Sequence, residues 1–454
     1  MSTGISLKTP GNVRALIAAA ALVLVAPAHA ENLDQALVRA FHSNAELAAA
    51  RDQLAAVREK TRQAESGYLP HVQLEASAGS TRLTGESSVF PFQDTTLNQR
   101  SIGLDVVQPL YRGGRTGAAL DAATAATAAQ EAELNATEQQ IMLAAIKAYM
   151  SVYENQAVVR LNAHNVKVLS EQLQAAEASF KAGEATHTDV DQARARLAGA
   201  RARLIHARGE LESARAGYAR VMGAPPSGDL EPPPAVSGLP ATLAEAEKRA
   251  MTNFPVIAAR YAEQAAGRRV DETRGELLPQ VQLAARVQHA QEPDFVFSTQ
   301  NTKSVLLQVS VPLYEGGSLR SRVREARHEM NRQHAQVISA ERGARETVNR
   351  AWQAYTTTQA QARAIQAQID AARSAFDGVR AEQRVGERTL LDVLDAEQEL
   401  LNAQVDQVSS RHDEVVAAYS LKAAVGELTA KALGLSVAGG ARVNSEESND
   451  AAGS

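Results

Sequence analysis

The sequence predicts an internally duplicated α+β membrane protein that combines very long helices with four short β-strands. Long segments rich in Ala, Gln, Glu and Arg contain few Gly or Pro residues, which favours extended helices. Other segments alternate apolar and polar residues with a period of two, which is typical of strands. The same order of elements occurs in both halves of the chain. Aromatic residues make up only 4% of the sequence, so narrow helical seams are favoured over thick globular cores.

Residues 1–30 have the features of a secretory signal peptide. Lys8 and Arg14 precede an apolar run from Ala15 to Val25, and Ala28-His29-Ala30 provides a cleavage site. Removal of this segment changes the formal net charge from -5 to -7, which does not favour a nucleic-acid partner. The chain contains no Cys, which excludes disulfides, thiol catalysis and a lipidated N-terminal Cys.

The first predicted repeat covers residues 31–222. A helical pattern from Leu33 to about Ser66 is followed by two alternating segments, and the second of these ends in a P-L-Y-x-G-G turn. No Gly or Pro interrupts residues 118–182, a helix of roughly 100 Å. The returning helix has a strict heptad seam, which predicts coiled-coil packing. The apolar strand positions are Val72, Leu74, Ala76, Ala78, Ile102, Leu104 and Val106, and the seam consists of Val190, Leu197, Leu204, Leu211 and Tyr218.

The second predicted repeat, residues 243–435, follows a Pro-rich linker at 223–242 and precedes a predicted disordered tail at 436–454. Arg51 and Pro70 recur as Arg260 and Pro279 at an offset of 209 residues. The strand exits and tip glycines recur at an offset of 203: Pro109, Tyr111, Gly113 and Gly183 match Pro312, Tyr314, Gly316 and Gly386. The second strand pair therefore has the shorter loop, while the long helices keep equal length.

Two similar turns are predicted to close the long helices into αα-hairpins. Gly183 and Gly386 suit a left-handed C-terminal cap, and Thr186 and Thr389 suit the N-cap of the next helix. An Asp three residues after each Thr, Asp189 or Asp392, completes a capping box. Asp395 lies one turn beyond Asp392 on the same helical face, where we expect no capping role for it and a pair of carboxylates near the exposed tip.

Each half supplies two strands of about ten residues, the length that a tilted strand needs to cross an outer membrane. Four strands cannot close a barrel, and unpaired strand edges are not tolerated in lipid, so other copies of the chain must complete the sheet. Two copies give eight strands with a filled interior, whereas three give twelve strands and room for a lumen.

The sequence resembles the TolC family of outer-membrane export channels from Glu31 to about Leu435. The resemblance rests on the duplication, the P-L-Y-x-G-G strand exits and the segment Val385-Gly386-x-Arg388-Thr389 followed by Leu391-Asp392-Val393-Leu394-Asp395. It implies a homotrimer with a twelve-stranded barrel in the lipid of the bacterial outer membrane. An α-helical barrel in the periplasm continues that barrel, and a periplasmic adaptor docks on its tip and connects it to an inner-membrane ABC transporter or other pump.

The resemblance also implies roles for residues at the tip. Asp392 and Asp395 form acidic rings at a periplasmic constriction, and Arg388 binds Thr188 and Asp189 to hold the tip closed. The turns with Gly183, Thr186, Gly386 and Thr389 belong to the adaptor docking region. Gln383 stands where the TolC exporter has a Tyr, which predicts a weaker or differently connected latch.

The expected function is export of proteins, as in type I secretion, or of small molecules, and the cargo and the cognate pump stay open. TolC-family members that serve multidrug pumps often carry a lipidated N-terminal Cys, so the resemblance, together with the absence of Cys, favours protein export over multidrug efflux. A periplasmic coiled-coil adaptor or scaffold is a further alternative, although an adaptor has one helical hairpin and a β-rich module. The ten His residues lack metal-ligand spacing, and no phosphate-binding loop or nucleophile elbow is present. We therefore expect no enzyme activity, no cofactor and no metal.

Overall fold

The computed structural model describes residues 31–84, 94–294 and 296–436. The predicted signal peptide at 1–30 lies outside the described residues, and so does the predicted tail from residue 437 onward. The repeat and linker boundaries stay predictions.

The described helices occur in the same order in each half of the chain. In the first half they are α1 (Leu33–Ser43), α2 (Ala45–Glu65), α3 (Arg115–Lys181) and α4 (His187–Met222), with a short 3₁₀ turn at Ser66–Tyr68. In the second half they are α5 (Leu243–Ala250), α6 (Phe254–Gly275), α7 (Ser318–Arg384) and α8 (Leu390–Ala424). Helices α3 and α7 both contain 67 residues, so each is roughly 100 Å long and the predicted equality of length is confirmed.

The helix predicted from Leu33 to about Ser66 is two helices. Asn44 separates them, because its side-chain oxygen accepts hydrogen bonds from the backbone N–H groups of Glu46 (2.9 Å) and Leu47 (3.2 Å) and so caps α2. The second half breaks at the matching Asn253, which accepts a hydrogen bond from the N–H of Phe254 (2.7 Å). Both halves therefore bend at the same point.

In the described ranges, four strands form one antiparallel sheet in the order β1 (His71–Leu83), β2 (Thr95–Arg112), β3 (Gln280–Gln291) and β4 (Thr299–Ser310). Strand β2 pairs with β3, so the sheet joins the two repeats. Within the described residues, β1 and β4 each pair with a single strand, which leaves one edge of each unpaired.

The expectation that Pro109 ends its strand is wrong, whereas β4 does end before Pro312. Strand β2 continues to Arg112 because a β-bulge between Pro109 and Tyr111 allows the chain to keep pairing with β3. Proline lacks an N–H group and is tolerated at such a bulge.

The sheet has one apolar and one polar face, as the alternation predicts. Leu74 is opposite Leu104, and Leu283 is opposite Leu307, on the apolar face. On the other face the Arg286 guanidinium Nε donates to Asp105 Oδ1 at 2.6 Å and lies near Glu75. Leu74 and Leu307 are 67% and 64% exposed, so none of the described segments covers these apolar positions.

The largest buried cluster lies where α1, the middle of α3, the end of α4 and the end of α8 meet. Glu31 lies against this cluster and is only 2% exposed. Its carboxylate accepts a hydrogen bond from the Tyr218 hydroxyl (2.7 Å) and forms an ion pair with Arg39 (3.0 Å). The backbone oxygen of Glu31 accepts from the N–H of Glu231 (3.0 Å). The start of the described chain is thus bound to the segment between the repeats.

No helix in the described ranges is long and apolar enough to cross a membrane.

The apolar sheet face predicts an asymmetric response to added charge. Leu74→Lys places an ammonium among Leu104 and its neighbours, and in lipid near the bilayer midplane it costs about 2–4 kcal/mol. The measurement is the free energy of unfolding in a lipid bilayer. The matched variant Gln73→Lys points to the polar face and should change this energy little; equal losses would contradict the face assignment.

Candidate functional site at the helix tips

The two tip turns have the same backbone geometry. Gly183 and Gly386 have φ values of 80° and 83°, the left-handed conformation that favours glycine. After each glycine, the next N–H bonds back to the helix: Glu184 donates to the Ser179 carbonyl (2.9 Å) and Glu387 to the Glu382 carbonyl (3.0 Å). These are Schellman-type ends, so both long helices stop abruptly and the chain reverses.

Capping boxes start both returning helices. The N–H of Thr186 donates to Asp189 Oδ2 (2.8 Å), and the N–H of Asp189 donates to Thr186 Oγ1 (3.3 Å). Thr389 and Asp392 make the matching bonds at 2.9 and 3.2 Å. Hydrogen bonds from Thr389 side chain and backbone, with a smaller contribution from the Arg388 charge, hold the pKa of Asp392 below its ordinary 3.8. Asp392 is therefore a cap and an ionised carboxylate at once.

Asp395 has a structural partner that the sequence reasoning missed. The Arg196 guanidinium, on α4, donates to Asp395 Oδ1 on α8. Asp395 therefore has a structural contact of another kind than the capping boxes of Asp189 and Asp392. This ion pair joins the first helical hairpin to the second hairpin. It lies about one helical turn away from the tip.

Arg388 contacts its own helix end. Its Nε donates to Glu382 Oε2 at 3.0 Å, and both side chains are about half exposed. Within the described part of the chain, no hydrogen bond or ion pair joins Arg388 to Thr188 or Asp189. The latch stays a prediction, and it requires a different rotamer of Arg388 or a contact with another copy.

An apolar cluster and two polar contacts join the hairpins behind the tip. Leu394 is 2% exposed and packs among α3 and α4 residues that include Leu169, Leu197 and Ala200. Gln172 Nε2 donates to Glu397 Oε2 (2.7 Å), and Arg203 Nη2 donates to Gln398 Oε1 (2.7 Å). Separation of the hairpins must therefore break both apolar and polar contacts.

The spacing of these partners was visible in the sequence. Arg196 and Arg203 are seven residues apart, each directly before a Leu of the α4 heptad seam. Such positions flank a coiled-coil seam and contact the neighbouring helix. Only the side-by-side placement of the hairpins shows that α8 is that neighbour.

The described residues contain no cluster of three or more His, Cys, Asp or Glu side chains able to hold a metal ion.

A membrane-type sheet that continues into paired long helices with capped tips defines an outer-membrane channel protein. The family described as outer membrane efflux protein (OEP) matches residues 36–224 and 250–427, one segment in each half of the chain. The chain belongs to this family. The resemblance to the TolC family, the fold class and the outer-membrane location predicted from the sequence are thereby confirmed.

Characterised relatives match over most of their length. The outer membrane efflux protein BepC of Brucella suis biovar 1 is 34% identical over 413 residues, which cover 90% of this chain and 88% of that protein. The outer membrane protein TolC of Salmonella enteritidis is 26% identical over 424 residues, covering 88% and 82%. The solved outer-membrane channel OprN aligns with a TM-score of 0.75 at 24% identity, covering 87% of this chain and 89% of that one.

The contact between Gln172 and Glu397 predicts a pH-dependent effect on stability. Burial raises the pKa of Glu397 above its ordinary 4.5, and the hydrogen bond from Gln172 only partly opposes this. The folded chain therefore binds this proton more tightly than the unfolded chain, so stability is lost as pH rises above 4.5. Glu397→Gln keeps an acceptor for Gln172 without the buried charge, and should raise the midpoint of thermal unfolding at pH 7.

The gain should shrink as the pH falls toward 4.5, where Glu397 becomes protonated. The control is Glu399→Gln, an exposed position two residues further along α8, for which we expect no comparable gain. A lower unfolding midpoint for Glu397→Gln at pH 7 would show that the carboxylate charge stabilises the contact instead.

Proposed function

We propose that three copies of this chain form the outer-membrane channel of a tripartite export system. The observation that carries this is the four-stranded sheet, which has an apolar face, a polar face and direct connections to two helices of 67 residues. In the part of the chain that the structure describes, its two edges have no partner strand. Three such sheets complete a twelve-stranded barrel with its polar faces toward a lumen. The long helices then form a second tube in the periplasm.

The helix tips are the proposed docking region for a periplasmic adaptor. Equal helix lengths place the turns at Gly183 and Gly386 at the same depth, so the trimer presents six similar hairpin ends. Thr186 and Thr389 fix the local conformation of each end through their capping boxes. An adaptor linked to an inner-membrane pump can bind such a ring of repeated, rigid turns.

The tip is also the proposed gate. Three-fold symmetry gathers Asp392 and Asp395 from each copy into two acidic rings, which attract cations and repel anions at a narrow mouth. The low pKa of Asp392 keeps its ring charged at neutral pH. Arg196 offsets part of the charge of Asp395, so Asp392 contributes the larger share of the field.

Efflux of small molecules is the first candidate for the cargo, because BepC, named an efflux protein, matches over nine-tenths of this chain. Protein export is the second candidate, favoured by the absence of Cys. A deletion strain distinguishes them: increased sensitivity to toxic compounds indicates efflux, and loss of a secreted protein indicates secretion.

The acidic rings predict cation selectivity that depends on both carboxylates. The purified protein should form trimers by native mass spectrometry and cation-selective channels in planar bilayers. Replacing Asp392 and Asp395 together by Ala should move the reversal potential in a salt gradient toward zero and weaken block by multivalent cations. Asp392→Asn alone should have the larger single effect. Unchanged selectivity in the double variant would place the constriction elsewhere, and a folded monomer would refute the channel.

The proposed latch predicts opposite results for the two partners of the Arg388 contact. If Arg388 binds Thr188 and Asp189 in the closed trimer, Arg388→Ala removes a charge-assisted contact and raises single-channel conductance. Glu382→Ala releases Arg388 for the latch, and should leave conductance low. Equal increases in both variants would show that Arg388 acts through Glu382 within its own turn.

A further inference from the structure

The duplication preserves strand pairing residue by residue. His71 is opposite Val107 in the first hairpin, and Gln280 is opposite Ser310 in the second. Gln280 is the counterpart of His71 at the 209-residue offset, and Ser310 is the counterpart of Val107 at the 203-residue offset. The β1–β2 and β3–β4 hairpins therefore have the same register. The repeat offsets can then be used to infer the pairing between copies from the pairing of β2 with β3.

The pairing of β2 with β3 is the junction between repeats within one chain. Asp105 lies opposite Arg286 there, and Leu104 lies opposite Val287. In a closed ring of copies, the remaining junction is β4 of one copy with β1 of the next, and β4 and β1 are the repeat counterparts of β2 and β3. We propose that this junction has the register of β2 and β3, with Gln308 opposite Ser77 of the partner subunit and Leu307 opposite Ala78 of the partner subunit.

The proposed register keeps both faces of the sheet intact. A shift of one residue would turn Leu307 toward the polar face, so only shifts by two residues compete. In the proposed register Val309 and Leu307 lie opposite the small side chains of the partner's Ala76 and the partner's Ala78, which gives large-to-small packing on the apolar face. Lys303 lies opposite the partner's Arg82, whose charge is compensated by an ion pair within that chain at 3.5 Å.

The same mapping explains an exposed segment after β4. Leu313 and Tyr314 are 92% and 86% exposed, whereas their counterparts Leu110 and Tyr111, in the bulged end of β2, are 57% and 48% exposed. The transferred pairing places Tyr314 opposite Val72 of the partner subunit. Residues 311–315 therefore extend β4 along the next copy, with a bulge at Pro312 like the one at Pro109.

The glycines of the two strand exits fit the same explanation. A Cβ at Gly113 would lie 2.2 Å from the Gly275 oxygen of the same chain, whereas a Cβ at Gly316 meets no atom within 4 Å. Both glycines have left-handed φ values, 64° and 63°. The turn at Gly316 therefore has the backbone conformation of the turn at Gly113 but lacks the segment that packs against Gly113. In the proposed ring, the next copy supplies the matching segment.

This inference rests on the trimeric channel proposed above, and disulfide crosslinking tests it separately. The chain has no Cys, so each engineered pair contains the only thiols. Ser77→Cys combined with Gln308→Cys should form an intersubunit disulfide, because directly opposed residues fall within the Cα range of about 4.4–6.8 Å that a disulfide spans. Matched controls combine Gln308→Cys with Glu75→Cys or Gly79→Cys, which lie diagonally at about 7–8 Å.

The expected result is a covalently linked trimer on non-reducing electrophoresis for the first pair and at least tenfold less product for both controls. A second pair, Val72→Cys with Tyr314→Cys, should also crosslink if β4 extends past Pro312. Native mass spectrometry of each reduced variant reports assembly independently. If the reduced variants are trimers but a control pair crosslinks best, or no pair crosslinks, the register is wrong and the channel still stands. If the reduced variants and the unmodified protein are all monomers, the proposed channel is wrong as well.

Discussion

The backbone edges of the sheet are the constraint on which the rest of this protein depends. In lipid, each unpaired N–H or C=O group costs several kcal/mol, so a membrane sheet must close on itself. The described residues of one chain supply four strands, and among them one edge of β1 and one edge of β4 have no partner strand. If further copies close the sheet into a barrel, the assembly has rotational symmetry about the barrel axis. Each residue at a helix tip then occurs once per copy around that axis. In the proposed trimer, the pair of carboxylates at Asp392 and Asp395 therefore forms two rings.

Helix length transmits that constraint over roughly 100 Å. One additional helical turn in α3 or α7 would displace its tip by about 5.4 Å relative to the other. Helices α3 and α7 both contain 67 residues, although the segments that connect the paired strands differ in length. Left-handed glycines at 183 and 386 and the threonine caps end the helices at matched positions. Loop length is free to vary because it does not affect the depth of the tips.

The tip combines structural and electrostatic roles in the same side chains. The bonds that cap α8 also keep Asp392 ionised, while Asp395 connects the hairpins through Arg196. Glu397 is half-buried behind them at an electrostatic cost. Helix packing and charge therefore change together: a movement that separates α4 from α8 frees the charge of Asp395. In the proposed channel, this coupling is a physical route by which docking of an adaptor at the tip would alter the conduction path.

The sequence by itself determined the elements that depend on local chemistry. Periodicity distinguishes strands from helices, and Gly and Thr mark the turns at the helix tips. The offset between the repeats, which is the same at the strand exits and at the tip glycines, requires long helices of equal length. Each of these features depends on a few neighbouring residues or on the comparison of the two repeats. The sequence also led to the family and to the acidic pair. Only the tertiary structure showed that Arg196 reaches Asp395, that Arg388 binds Glu382, and that β2 continues past Pro109 on a bulge. These contacts join residues whose proximity depends on how whole helices and strands pack, and no local pattern encodes that distance.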